Sequence, residues 1–332
     1  MKKLIWLAVA AVFAGLTSLA QPVRADGVTY SVMPQLPNNQ IDRSAGYYDL
    51  LVKPGTTQTL RMTITNQDTA TQRYRVSPNR AVTNANGVID YSRHGSPASA
   101  DLAVNIEQLF SAPQTVTIPA GGSQTVRVKL TVPKQRFTGV VLGGLYVTQV
   151  AEADAKAKQG VGFTNRFAYA TAVQLQMSRK AVEPQLTLTK VQPASKQQTP
   201  PLTATLANIK PAVVHDLSVT AKLTRQGASK PALTASRTQL SMAPNSTLAF
   251  ALGQPGQRLK AGRYTLTLTA KTDTTTWRFT KRLTLKGTTA VSSKTKPTAR
   301  RSVWWLVFSG ALVAVGAVAV GWMRRRSSRH RH

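Results

Sequence analysis

The 332-residue chain contains no cysteine. No disulfide can staple it, no thiolate can hold a metal, and no cysteine nucleophile exists. Histidine is almost as scarce, with only His94, His215, His330 and His332. The last two stand among arginines and the first two lie far apart, so no metal-ligand spacing occurs. A Gly-x-Ser-x-Gly elbow is missing, as is any phosphate-binding glycine loop. Acidic residues number 12 against 43 Lys and Arg. Asp42, Asp49, Asp90, Asp101 and Glu107 fall mostly at expected turns or strand ends, where Asp bonds its own backbone, and no carboxylate pair is evident. These absences leave no catalytic constellation, no cofactor site and no metal site.

Helical periodicity is also nearly missing between the two ends. In its place are short alternating runs of Val, Thr, Leu and Tyr, cut by Gly, Pro and Asn, which predict antiparallel strands. In the first half strands are expected at 28–32, 47–52, 57–65, 72–83, 115–118, 124–132 and 140–150. Leu60, Met62 and Ile64 alternate with Arg61, Thr63 and Thr65, so one face is buried. Val126, Val128, Leu130 and Val132 repeat the pattern. Pro54-Gly55-Thr56-Thr57-Gln58-Thr59-Leu60-Arg61-Met62 echoes Ala120-Gly121-Gly122-Ser123-Gln124-Thr125-Val126-Arg127-Val128, in each case a turn followed by an amphipathic strand. Residues 101–110 form the one helix-like piece, with Leu102, Ile106 and Leu109 on one side. Gly139, Gly143 and Gly144 sit in an apolar run, where glycine marks a bulge or a close backbone approach. In the second half strands are expected at 163–177, 185–191, 202–208, 216–224, 233–241, 246–252, 263–270 and 276–286.

The fold class that follows is all-β, with two immunoglobulin-like β-sandwich domains in tandem. The expected boundaries are 28–150 for the first sandwich, 151–160 for a polar linker, and 161–288 for the second. Residues 289–302, rich in Ser, Thr, Lys and Pro, read as a flexible stalk. The linker implies two sandwiches that fold separately.

Residues 1–25 read as a signal peptide: Lys2 and Lys3, an uncharged run from Leu4 to Leu19, and a small residue at Ala25. An uncleaved anchor is the other reading of that run. Residues 303–323 are uncharged for 21 positions, about 31 Å of helix, enough to cross a hydrocarbon core. Trp304, Trp305 and Trp322 lie where indoles prefer the headgroup region, and Arg324, Arg325 and Arg326 open a basic tail at 324–332 that stays cytoplasmic. The expected location is therefore a cell membrane, crossed once, with the bulk of the chain outside. No Leu-Pro-x-Thr-Gly sorting signal precedes the apolar run.

The formal net charge is +31 and is uneven. Asp26 to Gly160 carries 13 basic and 9 acidic residues, whereas Val161 to Ser302 carries 22 and 3. A cysteine-free exported chain with a C-terminal anchor fits a Gram-positive surface; a cationic second half favours polyanions, and outside such a cell those are teichoic acids and anionic headgroups. Export argues against nucleic acid. A surface that is merely soluble is the competing reading.

Several stretches carry a family likeness. Tyr30-Ser31-Val32-Met33-Pro34-Gln35-Leu36-Pro37-Asn38-Asn39-Gln40, Gly46-Tyr47-Tyr48-Asp49-Leu50 and Lys53-Pro54-Gly55 resemble the opening of the WxL-interacting protein family. Asn66, Thr83-Asn84-Ala85-Asn86-Gly87 and Asp90-Tyr91 continue it, Gly139 with Leu142-Gly143-Gly144 closes the first domain, and Phe163 with Asn165-Arg166-Phe167-Ala168-Tyr169 and Val173-Gln174-Leu175 resembles the start of that family's second domain. The resemblance implies a first domain that binds peptidoglycan, a second that binds host extracellular ligands, and WxL-domain surface proteins as partners. It does not assign contact residues. Within its motifs the candidate ligand contacts are Tyr30, Gln40, Tyr47, Asp49, Asn84, Asn86 and Tyr91. Packing of the sandwich is the competing role for the tyrosines, since only an exposed ring can stack on a sugar. A chaperone-like or structural subunit that displays a partner by strand addition is the alternative to a binding scaffold.

Overall fold

The computed structural model describes residues 28–99, 101–150, 167–193, 201–254, 257 and 259–285. The signal peptide, linker, stalk, apolar span with its three tryptophans, and basic tail all lie outside the described residues.

The first sandwich faces a three-stranded sheet against a five-stranded one. The smaller sheet orders β1 (Tyr30–Gln35), β3 (Thr57–Asn66) and β8 (Ser123–Thr131), all antiparallel. Its alternation is the one expected: Leu60, Met62 and Ile64 meet Val126, Val128 and Leu130 in the core, and Arg61 lies opposite Arg127 outside. The two echoing segments are thus antiparallel neighbours, each entering its strand from a glycine turn. The larger sheet orders β2 (Tyr48–Leu51), β10 (Ala168–Gln176), β9 (Val141–Gln149), β4 (Gln72–Arg80) and β7 (Gln114–Ile118). A short hairpin, β5 (Val82–Thr83) and β6 (Ile89–Asp90), projects from it. Between the sheets lie Tyr48, Tyr74, Val76, Leu145, Val147, Val173 and Leu175, all buried.

β10 pairs across the expected boundary. Sequence reading assigns 163–177 to the second sandwich, but Ala168–Gln176 pairs antiparallel with β9 and parallel with β2, in the middle of the first sandwich's larger sheet. Val173 and Leu175 are fully buried there. Alternation identified the strand correctly and could not identify its partners.

The helix-like stretch 101–110 shrinks to a single 3-10 turn, Ile106–Leu109. Asn105 caps it by accepting the Glu107 N–H, and Phe110 returns at once to extended backbone and bridges Leu130. Tertiary pairing ends the turn before a second one can form.

The second sandwich packs β11 (Leu186–Pro193), β12 (Leu202–Asn208) and β15 (Ser246–Leu252) against β14 (Pro231–Met242), β13 (Val214–Arg225), β16 (Gly262–Lys271) and β17 (Thr276–Leu285). Leu206, Leu248 and Phe250 from one sheet meet Leu217, Val219, Leu223, Leu266 and Leu268 from the other.

The sandwiches touch directly. Pro211 O accepts the Val140 N–H at 2.7 Å, Gly87 O accepts the Ser241 N–H at 2.7 Å, and Thr83 Oγ1 accepts the Ala243 N–H at 3.0 Å. A small apolar cluster of Ala81, Leu142 and Ala243 fills the junction.

Candidate functional site

Alternation along the larger sheet of the first sandwich fixes what its outer face shows. β9 turns Val141, Leu145 and Val147 inward and leaves Leu142, Gly144, Tyr146 and Thr148 outside. β10 likewise presents Ala168, Ala170, Ala172, Gln174 and Gln176. In register, Ala172 lies opposite Gly144, and Ala170 opposite Tyr146. The middle of the face is therefore a floor of small residues: Ala168 and Ala170 are exposed and Ala172 is half-buried, while Gly144 is covered by Tyr91.

Tyrosines rim this floor. Tyr47 directly precedes β2 and is 38% exposed. Gln40 fixes it: Nε2 donates to Tyr47 O at 2.7 Å and Asp42 O at 3.0 Å, while Oε1 accepts the Asp49 N–H at 3.2 Å. Tyr91 lies flat on Gly144, where a β-carbon would come 2.8 Å from its Cδ1. Burial, and after it the neighbouring Tyr47, pushes the Tyr91 hydroxyl up to about 12. Burial followed by Asp49 and Asp42 raises Tyr47 as well. Tyr146 stands half-buried on the same face.

The polar members are held in place. Asp49 Oδ1 accepts from Gln174 Nε2 at 3.0 Å and Gln176 Nε2 at 3.2 Å, which orders one side of the floor. On the other side Asn79 donates to Tyr91 O at 2.7 Å. The loop after Tyr91 is anchored by Glu107, which accepts the Arg80 and Gly95 N–H groups, and by Arg80 Nη2, which donates to Ser96 O and Pro97 O. Burial lowers the Arg80 guanidinium, with Glu107 opposing.

Of the seven candidate contacts, Tyr47, Asp49 and Tyr91 come together on this face. Tyr30 and Gln40 are buried away from it. Tyr30 is 1% exposed, its ring 4.9 Å from Tyr74 and its hydroxyl 2.8 Å from Phe167 O. Gln40 is 7% exposed and spent on the loop that positions Tyr47. Asn84 and Asn86 form the turn of the β5–β6 hairpin, where Asn84 Oδ1 accepts the N–H groups of Asn86 and Val88. That hairpin faces the second sandwich, with Arg237 Nη1 donating to Ala85 O at 2.9 Å. Sequence reasoning missed Tyr146, Gln174 and Gln176. Their alternation was legible, but two of the three sit on β10, which was assigned elsewhere.

The glycines behave as expected of close approaches. A β-carbon on Gly143 would lie 2.6 Å from Asn79 O and Ile106 Cγ2, and one on Gly139 2.2 Å from Pro211 O. Among the described residues no helix is long and apolar enough to cross a membrane, and no cluster of His, Asp and Glu could hold a metal.

Similarity to known proteins bears on this face. Residues 30–149 match the model of the WxL Interacting Protein, peptidoglycan binding domain, and residues 158–294 match the WxL Interacting Protein, host binding domain. No curated protein matches the chain. Among solved structures, a chain of a chaperone–tip adhesin complex of CFA/I fimbriae biogenesis is similar at 9% identity and TM-score 0.32, covering 78% of this chain and 99% of that one. The YadV chaperone is similar at 12% identity and TM-score 0.32, over 77% and 100% of the two chains. A PapD-like domain of human CEP192 follows at 13% identity and TM-score 0.29, over 50% and 95%. Likenesses this remote carry no functional argument. The two family matches run in tandem through both sandwiches, and the chain belongs to the WxL-interacting proteins, with a peptidoglycan-binding domain followed by a host-binding domain.

Proposed function

We propose that the chain is a non-catalytic surface scaffold that grips peptidoglycan through the outer face of the first sandwich's five-stranded sheet and assembles with WxL-domain surface proteins. Family membership supplies peptidoglycan as the ligand class; the tyrosine-rimmed, alanine-floored face supplies a place for it. Sugar rings present flat apolar faces and equatorial hydroxyls. Exposed Tyr47 and half-exposed Tyr146 and Tyr91 offer aromatic planes, and the half-buried Gln174 and Gln176, held in place by the buried Asp49 carboxylate, offer pre-ordered amides beside them. The alanine strip of β10 is the carrying observation, because it lets a glycan strand approach the sheet beside the rings. The signal peptide and apolar span expected from sequence would hold this face outside the membrane, toward the wall.

Tyr47→Ala is expected to weaken cosedimentation with purified peptidoglycan by about tenfold, equivalent to roughly 1–2 kcal/mol for an exposed anchor. The thermal midpoint should stay near wild type, since the ring is not in the core. Unchanged binding by a folded Tyr47→Ala/Tyr146→Ala double variant would place the glycan elsewhere.

A further inference from the structure

The four-stranded sheet of the second sandwich buries Leu217, Val219, Leu223, Leu266 and Leu268 on one side. By alternation its other side carries Lys222, Arg263, Lys271, Arg278 and Arg282. Between them stand hydroxyls. One register row reads Thr220, Thr269, Arg278 and the next Lys222, Thr267, Thr280 across β13, β16 and β17. Asp216, near the start of β13, is the one acidic residue on the four strands, and none of the five cations forms an ion pair among the described residues.

Like charges gathered on one sheet face repel and cost stability. Solubility alone would be served as well by scattered or mixed charges. The face also lacks what a protein partner needs at the centre of an interface. Among the described residues the exposed large hydrophobics are Val28, Met33, Leu36, Tyr47, Leu51, Val88 and Phe167, and all lie before the second sandwich. Of the side chains that make protein hot spots the face offers arginine but no aromatic ring, and it has no apolar side chain for a lipid surface to receive. A flexible linear polyanion needs neither. It needs cations at intervals along an extended surface and hydroxyl partners between them. Here same-face residues recur about every 6.6–6.8 Å along a strand, and strands lie about 4.8 Å apart.

We propose that this face docks a linear polyol-phosphate polymer of the cell wall, a chain in which phosphodiesters alternate with short hydroxylated spacers. Lys and Arg take the phosphates, Arg by its forked donors, and the threonine hydroxyls bond the spacers. The proposal shares with the peptidoglycan reading only the wall location that family membership implies. The first sandwich would hold the glycan and the second the anionic polymer threaded beside it.

The test uses the full chain and two variants of equal charge change. One carries Lys271→Gln, Arg278→Gln and Arg282→Gln. The other carries Arg61→Gln, Arg127→Gln and Lys129→Gln, an exposed cationic triplet on the first sandwich's smaller sheet. Each is cosedimented, across a salt series, with walls that retain the phosphodiester polymer and with walls stripped of it. Soluble polyglycerol phosphate and anionic phospholipid vesicles serve as competitors. Thermal melts confirm that both variants fold. On polymer-bearing walls the second-sandwich variant is expected to bind at least about tenfold more weakly, with a shallower salt dependence, because neutralised phosphates release counterions. The first-sandwich variant should bind like wild type, and polyglycerol phosphate but not vesicles should compete. Equal losses in the two variants, or competition by vesicles alone, would overturn the proposal. Binding to stripped walls reads the peptidoglycan site separately, so loss of either site is seen without the other.

Discussion

Asn66 and Asn208 occupy matching corners in the two sandwiches. Each ends a strand, each side-chain oxygen accepts the N–H two residues on, and each amide donates to the carbonyl four residues on. For Asn66 these partners are Asp68 N and Ala70 O; for Asn208 they are Lys210 N and Ala212 O. Asn66 Nδ2 also reaches Ile118 O and Pro119 O, and its Oδ1 accepts the Tyr74 hydroxyl, all out of solvent. Asparagine alone supplies both a two-proton donor and an acceptor in so short a side chain. Asn66→Asp turns a carboxylate toward three carbonyl oxygens. It is expected to destabilise the first sandwich by about 3 kcal/mol or more at neutral pH, read from urea denaturation. Part of the loss should return on acidification, when the protonated carboxyl can donate again. If Asn66→Asp and Asn66→Ala were equally mild, the corner would be ornamental.

At the scale of elements, β10 departs furthest from what the sequence displays. Strands β3, β8, β13 and β16 were legible because each alternates cleanly between an aliphatic and a Thr/Lys/Arg face. The same alternation finds β10 but says nothing about its neighbours, since pairing is set by the whole core. The family matches divide the chain before β10, at residue 158, whereas hydrogen bonding divides it after Gln176. The candidate face was half legible for the same reason. Tyr47, Asp49 and Tyr91 come from motifs within the first domain, while Gln174 and Gln176 reach Asp49 only because β10 crosses over. A fragment of residues 26–155 therefore lacks a central strand, leaving the edges of β2 and β9 unpaired and the pocket for Val173 and Leu175 empty. It is expected to show no cooperative thermal transition, whereas a fragment of residues 26–180 should melt cooperatively. A peptide covering residues 167–177 added to the shorter fragment should restore part of the transition. A cooperative melt of 26–155 alone would mean that β10 is dispensable.

Across the whole molecule, the contact between the sandwiches determines whether the glycan face and the cationic face keep a fixed relation. A polar linker predicts independent domains, but the junction contains backbone hydrogen bonds to Pro211 O and Gly87 O, the Thr83 hydroxyl against Ala243, and Asn245 Nδ2 donating to Asp101 O at 3.1 Å. Two glycines set how closely the halves approach. Gly87, at φ +72°, leaves no room for a β-carbon, which would come 2.6 Å from Leu240 Cδ2. Gly139, at φ +70°, faces Pro211 O across the junction. Its left-handed backbone costs a non-glycine residue about 1–2 kcal/mol, and an alanine methyl there would also overlap the carbonyl that Val140 N–H bonds. Because Gly139 lies outside both hydrophobic cores, Gly139→Ala should open the junction while leaving each sandwich intact. Calorimetry of the wild-type protein is expected to give one transition for the two sandwiches, which unfold together. Gly139→Ala should split it into two, with the first sandwich still able to bind peptidoglycan, at the proposed Tyr47 face, and the second still carrying its cationic face. Two transitions already present in the wild type would show that the junction contributes too little to couple the domains, and the faces would then bind their polymers independently.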